Sequence, residues 1–413
     1  MYASVRDVPQ AGAPTARTRT RVGGTVLALG TVSLLTDVSS EMVAAVLPVY
    51  LTLTLGLSPL AFGVVDGIYQ GTSVLVRLGA AAAADRWSRP KTTAALGYGL
   101  SALCKLGLLA ASGAAALSAV LAVDRTGKGL RTAPRDALIA AAAPAGALGR
   151  AFGVHRAMDT TGALLGPLLA VGLLLYLPGD YDSLFLVSAV FAVLGLAVLV
   201  TFVPERRRAT GRPPVRWRQV AALLGHRPVR RVALTGAVLG LLTVTDGFLY
   251  LLVREREAVS AALFPLLFVG TAAVYLVLAV PLGRLTDRVG RVPVIVAGHV
   301  ALLAAYAALL LLPGGGPLLA GLVVATLGVY YAATDGVLAA LAAELSPEDV
   351  RTSGIALVQT AVAAGRSVSA LLFGLLWTLT GQWTALAGFA VALVVVLPAA
   401  LRALRGIQGG PRA

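Results

Sequence analysis

The nonapeptide Gly283-Arg284-Leu285-Thr286-Asp287-Arg288-Val289-Gly290-Arg291 joins two long apolar stretches, and residues 81–91, AAAADRWSRPK, repeat its core with Asp85, Arg86, Arg89 and Lys91. Asp85 and Asp287 are 202 residues apart in a chain of 413, half its length. Other pairs recur at nearly that separation: Asp136 and Asp335 at 199, Arg150 and Arg351 at 201, Gly153 and Gly354 at 201. Offsets this close argue for one multi-span unit duplicated as a parallel repeat, an organisation used by two-halved transporters.

The solvent of this chain is lipid. Hydrophobic residues make up 58% and charged residues 13% of the sequence, and mean hydropathy is +0.85; a soluble domain carries about 25% charge. The net charge of +15 does not announce a nucleic-acid partner, because the arginines sit at the ends of apolar runs rather than along one face. One cysteine and three histidines, with no HExxH or CxxC spacing, exclude an intrachain disulfide and make a metal centre unexpected. Neither a nucleophile with its base nor a P-loop is present, so no enzyme, no catalytic residue and no cofactor are expected.

At roughly twenty apolar residues per crossing, spans are predicted near 24–54, 60–84, 92–112, 115–141, 151–177, 183–203, 232–253, 261–284, 292–312, 317–343, 353–379 and 383–402. These define an all-α polytopic membrane protein of twelve transmembrane helices in two pseudo-symmetric six-helix bundles. The expected organisation is a tail at 1–23, a first bundle at 24–203, a linker at 204–231, a second bundle at 232–402 and a tail at 403–413. The linker holds nine arginines against Glu205, which the positive-inside rule places in the cytoplasm together with both termini. Outer connections, Arg254-Glu255-Arg256-Glu257 among them, are short and not basic. The first apolar stretch contains Asp37 and Glu41 and is expected to be retained rather than cleaved as a signal peptide.

The residues of the opening loop resemble the major facilitator superfamily. Its signature G-x-x-x-D-R-x-G-R is matched by Gly283, Asp287, Arg288, Gly290 and Arg291, whereas Ala81 and Ser88 replace both glycines in the other copy. The earlier glycine is expected to permit close helix approach and the later one a left-handed turn. The resemblance implies a latch on the cytoplasmic side, built from Asp85, Arg86, Arg89, Asp287, Arg288 and Arg291, with Asp meeting a helix N-terminus and an arginine. In the fourth span Arg125 and Gly129 match the family's R-x-x-x-G pattern inside DRTGKGLRTAPRDALIA, residues 124–140, a string similar to that of a subgroup of bacterial permeases. Gly162, Gly166 and Pro167 resemble a motif of exporters that exchange substrate for protons, with Ala170 in place of its last glycine. An ordinary small-residue packing role is the alternative there.

Charges within spans cost about 2.5–3.5 kcal/mol each and need partners or water. Asp37 and Glu41 share a helical face as a like-charged pair, a candidate proton carrier; Asp159 and Asp246 are further candidates, and Asp66, Asp124 and Asp335 complete the acidic set. Asp124 can neutralise Lys128 one turn on, leaving Arg125 to bind an anionic group, tune proton affinity or join an ion pair. Arg125, Lys128, Gln70 and Gln359 are the candidate substrate contacts, with Tyr69 and Tyr330 as possible lining; Arg131, Arg135 and Asp136 belong nearer a gate. Lys105 is expected to pack or snorkel.

Together these features predict a monomeric secondary transporter of a bacterial inner (plasma) membrane, moving a small-molecule substrate across the lipid bilayer by alternating access. Proton-driven efflux of a drug-like compound or metabolite is the leading expectation. Proton-coupled uptake or exchange of a small organic or phosphorylated anion is the alternative.

Overall fold

The structure, a computed structural model, describes residues 23–84, 90–143, 148–205, 223, 225–314, 317–346 and 351–408, without the side chains of 73–84, 351–352 and 406–408. Asp85, Arg86 and Arg89, and most of the expected linker, lie outside these residues. Proline and glycine punctuate the described helices. They are α1 (Gly24–Val49, continued by a wider turn at Tyr50–Thr54), α2 (Pro59–Ala84), α3 (Pro90–Ala110), α4 (Gly113–Ala142), α5 (Leu148–Tyr176) and α6 (Tyr181–Phe202), then α7 (Arg227–Leu241), α8 (Asp246–Glu257), α9 (Pro265–Val289), α10 (Arg291–Leu311), α11 (Pro317–Leu345), α12 (Arg351–Thr380) and α13 (Gln382–Gln408). Proline opens α2, α3, α9 and α11, where its missing N–H costs nothing.

Among the described residues ten spans are long and apolar enough to cross a membrane. The helices α2 and α4, of 26 and 30 residues, are as long but carry charges such as Asp66 and Asp124. Three expectations are corrected. The seventh span is not one helix but two, α7 and α8, interrupted at residues 242–245; its first helix begins at Arg227, inside the stretch expected to be linker. The Arg254-to-Glu257 stretch is the last turn of α8 rather than a loop, with Arg256 lying 4.8 Å over the Trp383 ring. The last helix runs past 402 to Gln408.

The loop predictions divide. Gly290 adopts φ +88° between α9 and α10, the left-handed turn expected of it. Gly283, expected to admit a neighbouring helix, faces open space: a Cβ there would meet nothing within 4 Å. At the other end of the molecule Asp180 caps α6, accepting from the Ser183 backbone N–H at 3.0 Å. The Ser183 hydroxyl and N–H hold the Asp180 carboxyl below its usual range.

Duplication is visible in the packing. In the first half α1 packs on α5 and α6, α3 on α4 and α6, and α2 on α4; in the second α7 packs on α12 and α13, α10 on α11 and α13, and α9 on α11. Between halves the pairs are also exchanged, α2 with α12 and α5 with α9. Small residues let α2 and α12 touch backbone to backbone: a Cβ on Gly63 would lie 2.5 Å from the Ala370 carbonyl, and one on Gly374 2.6 Å from that of Pro59. Phe62, Phe248, Phe373 and Trp377 stack beside this seam. These contacts lie away from the face that carries the termini. On the terminal face Asp287 and Arg288 are exposed.

Candidate functional site

Buried charge in the first half is concentrated on and around α4. Gly97 and Gly127 bring α3 and α4 together, a Cβ on Gly97 falling 2.7 Å from the Gly127 carbonyl. This lets Lys105 reach across to Asp124 at 3.3 Å, while Arg125 approaches the same oxygen at 3.2 Å. All three are buried. The sequence reading is therefore corrected on one point, Asp124 serving Lys105 and Arg125 rather than Lys128; of the two roles expected of Lys105, packing is the one seen, since it is 2% exposed. Arg125 also lies 4.0 Å over the Tyr69 ring of α2, a cation–π contact strengthened by exclusion of water.

Lys128 turns instead toward α1, where Asp37 and Glu41 face it. Asp37 also faces Asp159 of α5. Asp159 is held by Arg135 at 3.7 Å and Arg156 at 3.5 Å, and Arg135 pairs with Asp136 at 3.0 Å and donates to Ser33 Oγ at 3.2 Å. Asp37, Glu41 and Asp159 of the expected proton carriers and Arg135 and Asp136 of the expected gate residues thus form one network with Lys128 on α1, α4 and α5. Arg131 is buried against the Tyr98 ring at 4.7 Å, within electrostatic reach of Asp37 and Asp124. Gly162 and Gly166 are what hold α5 against α1: a Cβ on Gly162 would collide with the Leu34 carbonyl, and one on Gly166 would lie 2.7 Å from that of Val38. Pro167 is buried beside them.

The second half contributes a different arrangement around its broken span. Backbone groups freed inside a membrane must find partners, and Tyr306 of α10 supplies two, accepting from Val244 N at 2.7 Å and donating to the Leu242 carbonyl at 3.1 Å. Ser369 donates to the Thr243 carbonyl at 2.7 Å. Asp246 then opens α8, where a carboxylate complements the helix dipole, and receives the Tyr331 hydroxyl at 2.7 Å. Arg366 donates to Tyr330 Oη at 2.8 Å and lies 5.2 Å from the Tyr331 ring. Gln70 stands next to Asp66, whereas Gln359 is exposed, as is Asp335.

On the terminal face, Arg291 pairs with Glu344 at the end of α11; among the described residues Asp287 makes no ion pair. An acid does meet the helix N-terminus of α3: Glu205 accepts from the backbone N–H groups of Lys91 and Thr92 at 3.0 and 3.2 Å, while Asp85 lies outside the described residues. No cluster of metal-binding side chains occurs among the described residues. Sequence reading missed Tyr306, Tyr331 and Thr245. The Tyr330-Tyr331 doublet in an aliphatic span, and the run Thr243-Val244-Thr245-Asp246, a helix-start signature, were the available signals.

Comparison with known proteins agrees with this architecture. The chain is 30% identical over 389 residues, 89% of its length and 92% of the relative's, to an uncharacterised MFS-type transporter of Methanocaldococcus jannaschii. An uncharacterised protein of Mycobacterium bovis is 28% identical over 276 residues, 64% of this chain and 66% of that one. Among solved structures, the nucleoside transporter NupG superposes with TM-score 0.79 at 16% identity, covering 92% of this chain and 99% of that one. A peptide transporter POT superposes with TM-score 0.74 at 16% identity, covering 94% and 96%. The sequence model of the Major Facilitator Superfamily matches residues 29–370 and 248–410, and the chain belongs to that family of membrane transporters.

Proposed function

We propose that this secondary transporter exports a small neutral or cationic solute in exchange for protons. The observation that carries this reading is the group around Asp37 of α1, which Lys128 of α4 and the carboxyl of Asp159 on α5 both face at membrane depth. A proton arriving on Asp37 changes the charge balance around Lys128, and the two halves respond by rocking about the site. Glu41 and Asp246 are secondary proton carriers. The resident driving force is the proton gradient, with no cofactor.

Matched charges favour a neutral or cationic solute. Asp124 compensates Lys105 and Arg125, Asp37 and Glu41 face Lys128, and Asp136 and Asp159 hold Arg135, so the first half offers little net positive charge. Gln70, Tyr69 and Tyr330 supply polar and aromatic contacts. Uptake or exchange of a small organic or phosphorylated anion is the second reading, favoured by the Nε atoms of Arg125 and Arg366, both buried without a hydrogen-bond partner. The arginine-rich linker supports cytoplasmic termini in a bacterial plasma membrane, and with that orientation the seam of α2 and α12 closes the outer side. Internal pseudo-symmetry supports a monomer as the working unit.

The test uses inverted vesicles with an imposed proton gradient. Accumulation of a cationic or neutral amphiphile that disappears in Asp37→Asn, with the variant still inserted and folded, is the expected result. Undiminished proton-driven flux in that variant sinks the assignment, and anion uptake by right-side-out vesicles alone replaces it with the second reading.

A further inference from the structure

The seam between α2 and α12 contains an acid that the mechanism above does not use. Asp66 lies on α2 among the glycines of the seam, one turn from Phe62 and Gly63 and beside Gly67, where an added Cβ would lie 2.9 Å from the Ser367 carbonyl oxygen. It faces Thr245 of the interrupted seventh span, Gln70 of its own helix and Asp246 at the start of α8. Asp66 Oδ2 is buried without a hydrogen-bond partner. Thr245 is 6% exposed, and its Oγ1 has none either.

The surrounding charges do not favour a carboxylate. Among the described residues no lysine or arginine lies within ion-pair distance of Asp66. Its charged neighbour is Asp246, of the same sign. Tyr69, one turn on along α2, faces Arg125, Asp124 and Glu41 from α4 and α1, and Arg125 is taken up by Asp124 and the Tyr69 ring. Arg366 of α12 donates to Tyr330 and faces Asp246. An ionised Asp66 would bring only acceptor oxygens into a closed seam that lacks a countercharge, and such a charge is strongly disfavoured. The Thr245 hydroxyl and the Gln70 amide can each donate to a carboxylate or accept from a neutral carboxyl, so burial beside Asp246 without a cation decides for the neutral form.

We propose that Asp66 is a proton-binding site of the seam: it takes one proton from water when the halves are parted there, keeps it as an O–H donor while α2 and α12 are closed, and returns it to the same water when they part. No net transport passes through this site, which instead makes closure of the seam depend on pH. The proposal rests on the proton-coupled reading above, and it is separable from it.

The experiment places spin labels at Ser58→Cys and Thr380→Cys, exposed at the ends of α2 and α12, in full-length protein whose buried Cys104 is replaced by Ala, and measures their separation in lipid nanodiscs against pH. In the otherwise native protein the open-to-closed ratio is expected to rise with pH by up to about tenfold per unit, the slope of one-proton linkage. Asp66→Asn should lose this one-proton component and shift toward closure, Asp66→Glu should restore it, and Asp37→Asn should keep it. A response that persists unchanged in Asp66→Asn overturns this proposal alone. A separation that follows sodium at fixed pH overturns it in favour of a metal cation. A separation indifferent to both, while proton-driven flux continues, also overturns it; loss of proton-driven flux as well removes the coupling reading on which it stands.

Discussion

Asp124 is the residue on which two buried cations depend. Lys105 and Arg125 both reach its Oδ2, and its Oδ1 has no hydrogen-bond partner. Removing one partner of a buried ion pair costs about 3–5 kcal/mol because the other charge stays buried. Asp124→Asn should therefore lower the thermal midpoint of the detergent-purified protein by that equivalent, and the double change Asp124→Leu with Lys105→Met should recover part of it. A midpoint unchanged in Asp124→Asn would mean that water reaches the group. Asp37→Asn makes the opposite prediction, a protein of near-native midpoint with lost coupling, because Asp37 faces Lys128 alongside Glu41 rather than as a sole counterion. Sequence spacing named these charges but paired them wrongly. Helix geometry puts Asp124 and Lys128 on one face, yet it says nothing of a lysine one helix away that two glycines admit to contact.

The interrupted seventh span shows what periodicity conceals at the scale of an element. Residues 232–253 are apolar apart from Asp246 and three threonines, so they read as one helix; the break at 242–245 exists because Tyr306, 62 residues from Val244 in sequence, replaces the missing backbone hydrogen bonds. Tyr306→Phe removes both, and an unsatisfied buried group costs about 1–3 kcal/mol. The expected outcome is a loss of that size in chemical unfolding, with faster hydrogen exchange at residues 242–246; protected amides there would show that the span had closed into one helix. The doubled set of long helices was legible, because length dictates it and, in ten of the described spans, apolarity as well, and so was the turn at Gly290. The motif on α5 was legible only as alternatives. Gly162 and Gly166 sit against backbone of α1, so Gly166→Leu should abolish folded protein in the membrane. Pro167→Ala, with both glycines kept, should leave folding intact, and retained exchange in that variant would assign the motif to packing rather than to an antiport-specific bend.

For the whole molecule, the decisive relation is that helices pair by the same rule in both halves, and that the halves exchange partners, α2 with α12 and α5 with α9. Such a molecule has two equivalent ways to pivot, and binding at the centre is exposed to one side or the other according to which pair of helix ends is joined. Here the joined ends include Leu60 and Thr378, whose backbone N–H and Oγ1 are 3.1 Å apart. Cysteines at these two positions, in a protein lacking Cys104, should therefore cross-link readily on mild oxidation. The cross-linked protein is expected to bind substrate from the terminal face but to stop net flux, with flux returning on reduction. Each single-cysteine variant, treated identically, should transport normally. Continued turnover by fully cross-linked protein would mean that the seam does not part during transport, and that rocking of the halves about the central charges is the wrong description of how this molecule works.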